Sequence, residues 1–411
     1  MTASRVLLVV LDGIGDRPCS DLGGKTPLQA AHTPNLDRIA AAGICGIMDA
    51  IGPGIRPGSD TSHLNLLGYP PERYYTGRGP LEAEGTGIFM ETGMVGFRCN
   101  FATIDENGLM VDRRAGRIRE TEPLAEAIRE GVDLSDHDVE FFFESGAGHR
   151  AAFALRGENL GARVTANDPK ADQVPVPPLR PKTGDPADER TAAICNDFIT
   201  RSSEILENHP LNRKRREEGL LPANILLLRG AGEKGRFEPF ETRHGLHGSV
   251  ITGATLIVGI GKTVGLKEVP VEGATGSTAT NLDGLVRAAL AELEIQDFVL
   301  LNIKGADEAG HDGNAREKSG FIERIDRALE PFSDLDDTLL VVCADHSTPC
   351  PVRDHSADPV PLVITGEGVR TDDVERFDEL ACAHGGLHRV RGSDLMPIVL
   401  DLINRSEKYG A

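Results

Sequence analysis

A chain of 411 residues is longer than one hydrophobic core usually serves, and at about 150 residues per domain it predicts two to three domains. Its 64 Asp and Glu against 44 Lys and Arg leave a formal charge of −20, which repels nucleic acid and anionic membranes at long range. With no Trp and 4% aromatics there is also little to stack on unpaired bases. Neither nucleic acid nor a membrane is expected as a partner, and an enzyme of anionic substrates would need arginines or metal ions to make its site locally positive.

The start Met1-Thr-Ala-Ser-Arg5 runs directly into the apolar stretch 5–11, too short and wrongly flanked for a signal peptide. That stretch reads as a buried strand ending at Asp12. Thr33-Pro34 then predicts a capped helix stopped by Gly43. The region 97–176 differs: short β-like pieces at 97–104 and 138–143 are separated by polar turns, and a proline-rich segment lies at 174–181. A helix over about 187–207 and a strand over 224–229 follow. The C-terminal third alternates again, with a helix at about 280–294, strand 298–304, helix 315–331, strands 339–344 and 360–365, and a helix at 394–404. Strands alternating with helices predict an α/β fold with a mainly parallel, helix-covered sheet. Residues 79–244 read as a second, smaller α/β domain inserted between 1–78 and 245–411, with hinges expected near 76–80 and 244–250. Seven scattered Cys with no CxxC pair, and no run near the ~18 apolar residues of a membrane span, predict a soluble cytoplasmic protein. Oligomeric assembly stays open.

The chemistry lies in four short stretches. Asp12 ends one strand and Asp345-His346 ends another, and in an open α/β sheet sites form beyond the carboxyl ends of the strands. Asp307-Glu-Ala-Gly-His311 sets a carboxylate and an imidazole on one helical turn, and His355 precedes the strand at 360. Gly58-Ser59-Asp-Thr-Ser62-His63 offers a nucleophile; a serine hydroxyl is weak at neutral pH and is activated by metal coordination. Three Asp, three His and one hydroxyl suit Mn²⁺ or Zn²⁺ better than Mg²⁺. The spacing does not choose between the first two. Two divalent ions are expected, Mn²⁺ first, with Zn²⁺, Mg²⁺ and Co²⁺ as alternatives. His244, His247, His384 and His388 read as surface or structural groups.

Taken together, Val9-Val-Leu-Asp-Gly-Ile-Gly-Asp-Arg-Pro18, Leu22-Gly-Gly-Lys-Thr-Pro27, Pro57-Gly-Ser-Asp-Thr-Ser-His-Leu64, Tyr74-Tyr-Thr-Gly-Arg-Gly-Pro80, Asp112-Arg-Arg-Ala-Gly-Arg117, Lys304-Gly-Ala-Asp-Glu-Ala-Gly-His-Asp-Gly313 and Ala344-Asp-His-Ser347 resemble the alkaline phosphatase superfamily. They are closest to the archaeal type of 2,3-bisphosphoglycerate-independent phosphoglycerate mutases, and the matching stretches run nearly end to end. The resemblance implies an alkaline-phosphatase-like catalytic domain with two metal ions, an inserted substrate domain, a phosphoserine intermediate, 3-phosphoglycerate and 2-phosphoglycerate as substrate and product in glycolysis and gluconeogenesis, and no 2,3-bisphosphoglycerate.

Position by position, Ser59 aligns with the nucleophile. Asp12, Ser59, Asp345 and His346 resemble one metal site, and Asp307, His311 and His355 the other. Asp112, Arg113, Arg114 and Arg117 are candidates for holding the glycerate, because guanidinium forks fit carboxylate and phosphate bidentately. Arg78 and Lys304 are candidates for phosphate. Ser62 departs from the alanine or glycine usual there, and His63 reads as a supporting group. The larger bacterial type carries a histidine in a GGVHSH-like stretch that is missing here, so the group exchanging the glycerate proton is unassigned, with His149 and Asp112 among the candidates. Rival readings are a phosphatase, if water reaches the phosphoserine first; a homoserine kinase relative, which tends to lack the histidine found here at His63; and a metal-binding protein without catalysis.

Overall fold

The structure, a computed structural model, describes residues 3–408 and 410. The chain divides into two compact units, the first holding the chain up to Tyr74 and again from Phe237, the second being Tyr75–Arg236. Its strands in chain order are β1 (Arg5–Leu11), β2 (Ile44–Asp49), β3 (Val95–Ile104), β4 (Met110–Asp112), β5 (Glu140–Ser145), β6 (Arg150–Arg156), β7 (Ile225–Glu233), β8 (Gly248–Ile251), β9 (Lys267–Glu268), β10 (Phe298–Ile303), β11 (Thr338–Cys343), β12 (Val360–Thr365) and β13 (His388–Arg391).

The first unit is built on an eight-stranded sheet of order β13-β2-β12-β11-β1-β10-β8-β9. β1 runs parallel to both β10 and β11, and the sheet is parallel throughout except where β12 runs against β11 and β2. β10 and β11 are buried at every position, and β1 at every position after Arg5. That is why they read as unbroken apolar runs rather than alternating ones. Since β11, β1 and β10 are neighbours pointing the same way, the segments after Cys343, Leu11 and Ile303 leave the sheet side by side.

The second unit is an antiparallel sheet in which β3 pairs with β6 and β7, β5 pairs with β6, and β4 joins the last residues of β3. Phe97, Phe101, Phe143 and Phe153 point from it into a core closed by the helices Glu122–Gly131 and Pro186–Asn208. The opposite face carries the helix Arg78–Thr86, which approaches so closely that a Cβ on Gly79 would overlap the Gly96 carbonyl.

Both edges of the second unit precede the expected 79 and 244. Phe237 stays with the first unit because its ring lies 5.3 Å from that of Tyr74 and 5.9 Å from that of Tyr69. Neither glycine-bearing segment expected to act as a hinge is a loose connector. Gly248–Ile251 is a strand of the first sheet, and Gly77 packs on the backbone of Ala231 and Gly232 in the second unit. No helix among the described residues is long and apolar enough to cross a membrane.

Candidate active site

The three adjacent strand ends of the first unit deliver the polar residues. Asp12 follows β1 and Asp345-His346 follow β11, all but inaccessible to solvent. Lys304 follows β10 and precedes the helix Gly305–Asp312, whose first turn carries Asp307 and last turn His311. Ser59 opens the helix Ser59–Leu66, and His355 comes from the segment between β11 and β12.

These side chains converge. Ser59 Oγ lies 3.1 Å from His346 Nε2, which is 3.2 Å from Asp345 Oδ2 and 3.6 Å from Asp12 Oδ1. Asp307 Oδ1 is 3.4 Å from His311 Nε2 and 3.5 Å from His355 Nε2. Lys304 Nζ bridges the two carboxylate groups, at 3.0 Å from Asp12 Oδ1 and 2.8 Å from Asp307 Oδ2.

The imidazoles are oriented from behind. His63, His311 and His355 each set Nδ1 against a main-chain carbonyl, of Ser59, Arg353 and Pro57 respectively, at 2.8, 3.1 and 2.9 Å. A carbonyl only accepts, so Nδ1 carries the hydrogen and Nε2 keeps its lone pair. For His311 and His355 that lone pair faces Asp307. His63 Nε2 instead accepts from Asn302, whose amide also donates to Asp12 Oδ2 at 3.0 Å and accepts from Thr252. His63 is therefore a support and not a ligand.

Burial and mutual charge set the ionisation of these groups. Burial pushes the Asp345 carboxyl well above the usual carboxylate range, and the Asp12 charge adds to it. Burial also works against ionisation of Asp307, yet the Lys304 ammonium beside it holds it well below that range. Burial drives His346 and His63 down, keeping both neutral. Asp345 Oδ1 accepts the Gly13 N–H at 3.2 Å, while its Oδ2 is buried and has no hydrogen-bond partner among the described residues. Leaving a buried carboxylate oxygen bare is costly. Asp12, Asp345 and His346 offer ligand atoms within 4.8 Å of one another, as do Asp307, His346 and His355. Carboxylate and imidazole donors in this number fit divalent transition ions.

In the second unit a set of arginines gathers. Arg98 on β3 stands directly opposite Arg229 on β7, and the Nε of each is buried without a hydrogen-bond partner among the described residues. Like charges paired across strands destabilise a sheet. Burial, and then Arg78, lowers Arg98 to about 9. Burial and the charges of Arg150, Arg114, Arg98 and Arg229 push His149 down to about 4. Carboxylates balance part of this charge, Arg229 Nη1 lying 3.0 Å from Asp168 Oδ2 and Arg98 Nε 3.7 Å from Glu82 Oε1.

The residues expected from the DRRAGR stretch divide. Arg113 is a poor candidate for holding substrate, since its guanidinium is already forked onto Asp168 at 2.7 Å twice. Arg114 is exposed and lies beside His149, and the Asp112 carboxylate accepts the Arg114 N–H at 2.6 Å. Arg117 sits exposed in a turn at φ 57°. Arg78 bonds Glu82 at 2.8 Å, and Lys304 is engaged by carboxylates. Arg98 and Arg229 escaped the motif reading, although an arginine inside an otherwise apolar strand pattern is itself a signal. His244 Nε2–H donates to the Leu67 carbonyl at 2.9 Å, a structural contact.

The family model described as 2,3-bisphosphoglycerate-independent phosphoglycerate mutase matches residues 40–212. The chain is 66% identical over 411 residues to the protein of that name from Methanoculleus marisnigri, with 100% of each covered. It is 62% identical over 410 residues to that of Methanosphaerula palustris, again with 100% of each covered. Among solved structures, the cofactor-independent phosphoglycerate mutase from Thermoplasma acidophilum is 38% identical with a TM-score of 0.71, covering 98% of this chain and 100% of that one. The PH0037 protein from Pyrococcus horikoshii is 37% identical with a TM-score of 0.86 and 100% of each chain covered. With identity of this order along its whole length and a fold shared with solved relatives, the chain belongs to the 2,3-bisphosphoglycerate-independent phosphoglycerate mutases, a family of isomerases.

Proposed function

We propose that the protein interconverts 3-phosphoglycerate and 2-phosphoglycerate through a phosphoserine at Ser59. The observation that carries this reading is the hydroxyl of Ser59 at a helix N-terminus, 3.1 Å from His346 Nε2, beside buried carboxylates of which Asp345 Oδ2 has no hydrogen-bond partner among the described residues. Asp12, Ser59, Asp345 and His346 would hold one divalent ion and Asp307, His311 and His355 a second, Mn²⁺ being the expected metal. Bound there, such ions supply positive charge for the phosphate and lower the pKa of a serine hydroxyl.

The chain's own groups do the rest. Ser59 Oγ attacks phosphorus in line, the P–Oγ bond forms as the bond to the C3 oxygen breaks, and glycerate is released as the leaving group. The N-terminal end of the helix Ser59–Leu66 favours the negative charge gathering at Ser59. Glycerate has to turn before it reacts again, and Arg78, Arg98 and Arg114 are candidate partners for an anion of this kind. Its 2-oxygen then attacks the phosphoserine, and Ser59 is regenerated as the P–Oγ bond breaks. The hydroxyl proton passes between the C2 and C3 oxygens by way of a protein base. His149, which burial and the surrounding arginines hold neutral at pH 7, and Asp112 are the two candidates for that base. A cytoplasmic place in glycolysis and gluconeogenesis accords with these substrates.

Ser59→Ala tests the nucleophile. The variant should lose at least about 10³-fold in kcat, as removal of a covalent nucleophile does, while its bound-metal content stays near that of the parent. Substantial mutase activity in a pure Ser59→Ala sample would move the nucleophile to Ser62 or end the phosphoserine scheme.

A further inference from the structure

His346 differs from the other imidazoles at the site, because its Nδ1 faces no carbonyl. It faces the hydroxyl of Thr348 at 3.1 Å, and the same hydroxyl lies 2.6 Å from Asp307 Oδ1. A threonine hydroxyl has one hydrogen to give. Asp307 is already paired with Lys304 at 2.8 Å and accepts only, so that hydrogen goes to the carboxylate. The hydroxyl oxygen must then accept from His346 Nδ1–H. The outcome is an Nε2 lone pair directed at Ser59, Asp345 and Asp12. One hydroxyl thereby ties the ligand group around Asp12 to the ligand group around Asp307.

The main chain of Thr348 is held as firmly as its side chain. Its N–H donates to the Gly15 carbonyl at 3.0 Å and its carbonyl accepts from Lys318 Nζ at 2.9 Å. Lys318 is fully buried and spends its other two hydrogens on Gly15 O at 3.0 Å and Asp16 Oδ2 at 2.9 Å. The loop after β1 and the loop after β11, which between them carry Asp12, Asp345 and His346, are thus joined at one ammonium. Glycines make the room: a Cβ on Gly13, at φ 67°, would lie 2.7 Å from both Asp307 Cα and Thr348 Oγ1, and one on Gly310 would overlap the Thr348 carbonyl.

We propose that Thr348 is a positioning residue for the reaction, its hydroxyl fixing the tautomer of His346 and the orientation of Asp307 so that the two metal-binding groups form together. This rests on the two-metal reading above.

The test uses the full-length protein, its Thr348→Val variant, which keeps the shape and removes the hydroxyl, and Thr348→Ser, which keeps the hydroxyl. In metal-free protein, nitrogen-15 NMR should show His346 as the Nδ1–H tautomer in the parent and in Thr348→Ser, and as a mixture or the Nε2–H form in Thr348→Val. Calorimetric Mn²⁺ titration should give affinity about 10- to 100-fold weaker for Thr348→Val, the usual cost of removing a partner behind a metal ligand, and near-parent affinity for Thr348→Ser. Thr348→Val that keeps both the Nδ1–H tautomer and parent Mn²⁺ affinity overturns the proposal and leaves the mutase mechanism standing. Failure of Thr348→Ser to restore either readout also overturns it, since loss would then follow from packing alone. A parent protein that binds no Mn²⁺, yet whose His346 tautomer follows the Thr348 hydroxyl, would support the positioning role and sink the two-metal reading instead.

Discussion

Around the first unit's site every histidine ring gives its Nδ1 hydrogen to an oxygen of the protein, and at His311, His346 and His355 this leaves Nε2 free for a cation. That these side chains would converge was legible in the sequence, because each sits at a strand end or in a short motif with an unmistakable residue type. Asn302 and Thr348 were not, because nothing about an amide inside an apolar strand, or a threonine after Asp-His-Ser, says which neighbours it will bridge. Arg98 and Arg229 were missed for a related reason: their significance is that they face each other across two strands 131 positions apart by number, a fact of register. Glu379 gives a prediction at this scale. Burial raises its carboxyl to about 7, while the group bonds the Asp16 N–H at 3.1 Å and the Thr26 hydroxyl at 2.8 Å. Its folded pKa lies above the unfolded value, so the folded state binds the extra proton, and stability is fully present below about 4.5 and falls as pH rises toward 7. Glu379→Gln, a neutral isostere, should remove that slope. The gain at pH 7.5 relative to the parent is about 3 kcal/mol at most. Denaturant melts at several pH values check it, and an unchanged slope would show that Glu379 does not titrate there.

Elements explain why the site exists at all. Three parallel strands, β11, β1 and β10, end together and bring residues 12, 307, 345 and 346 to one place. The apolar runs foretold those strands, and the alternation of strand and helix foretold that they are parallel. Other elements were hidden. Gly46 weakens the strand signal of β2, yet only glycine fits there, since a Cβ would come within 2.7 Å of the His388 carbonyl. The reversal of β12 is a matter of pairing, which periodicity does not encode. In the second unit the sheet proved antiparallel, and its core rests on Phe198 from the helix Pro186–Asn208, stacked on Phe153 at 4.1 Å and close to Phe141 and Phe143. Phe198→Ala should cost about 3–5 kcal/mol of that unit's stability. Chemical denaturation followed by a probe in residues 75–236 measures it, and a loss under about 1 kcal/mol would mean that this stack is not the centre of the core.

The whole molecule is a strongly acidic protein that handles an acidic substrate, and the contradiction resolves locally. Against a formal charge of −20 for the chain, one unit gathers buried carboxylates and imidazoles and the other gathers arginines, the two kinds of group that the proposed reaction uses. The inserted unit was visible from a change in strand character near residue 97. Its edges at Tyr75 and Arg236 were not, because they depend on which side the rings of Tyr74 and Phe237 pack. The central claim is that phosphate moves between two oxygens of one glycerate by way of the protein and never passes to water. Phosphorus NMR of 3-phosphoglycerate with the purified, Mn²⁺-loaded protein, in the absence of 2,3-bisphosphoglycerate, tests it most directly. The account predicts a growing 2-phosphoglycerate resonance with no growth of inorganic phosphate, arrested by a chelator and restored by Mn²⁺; inorganic phosphate as the sole product, or a spectrum that does not change, would contradict it.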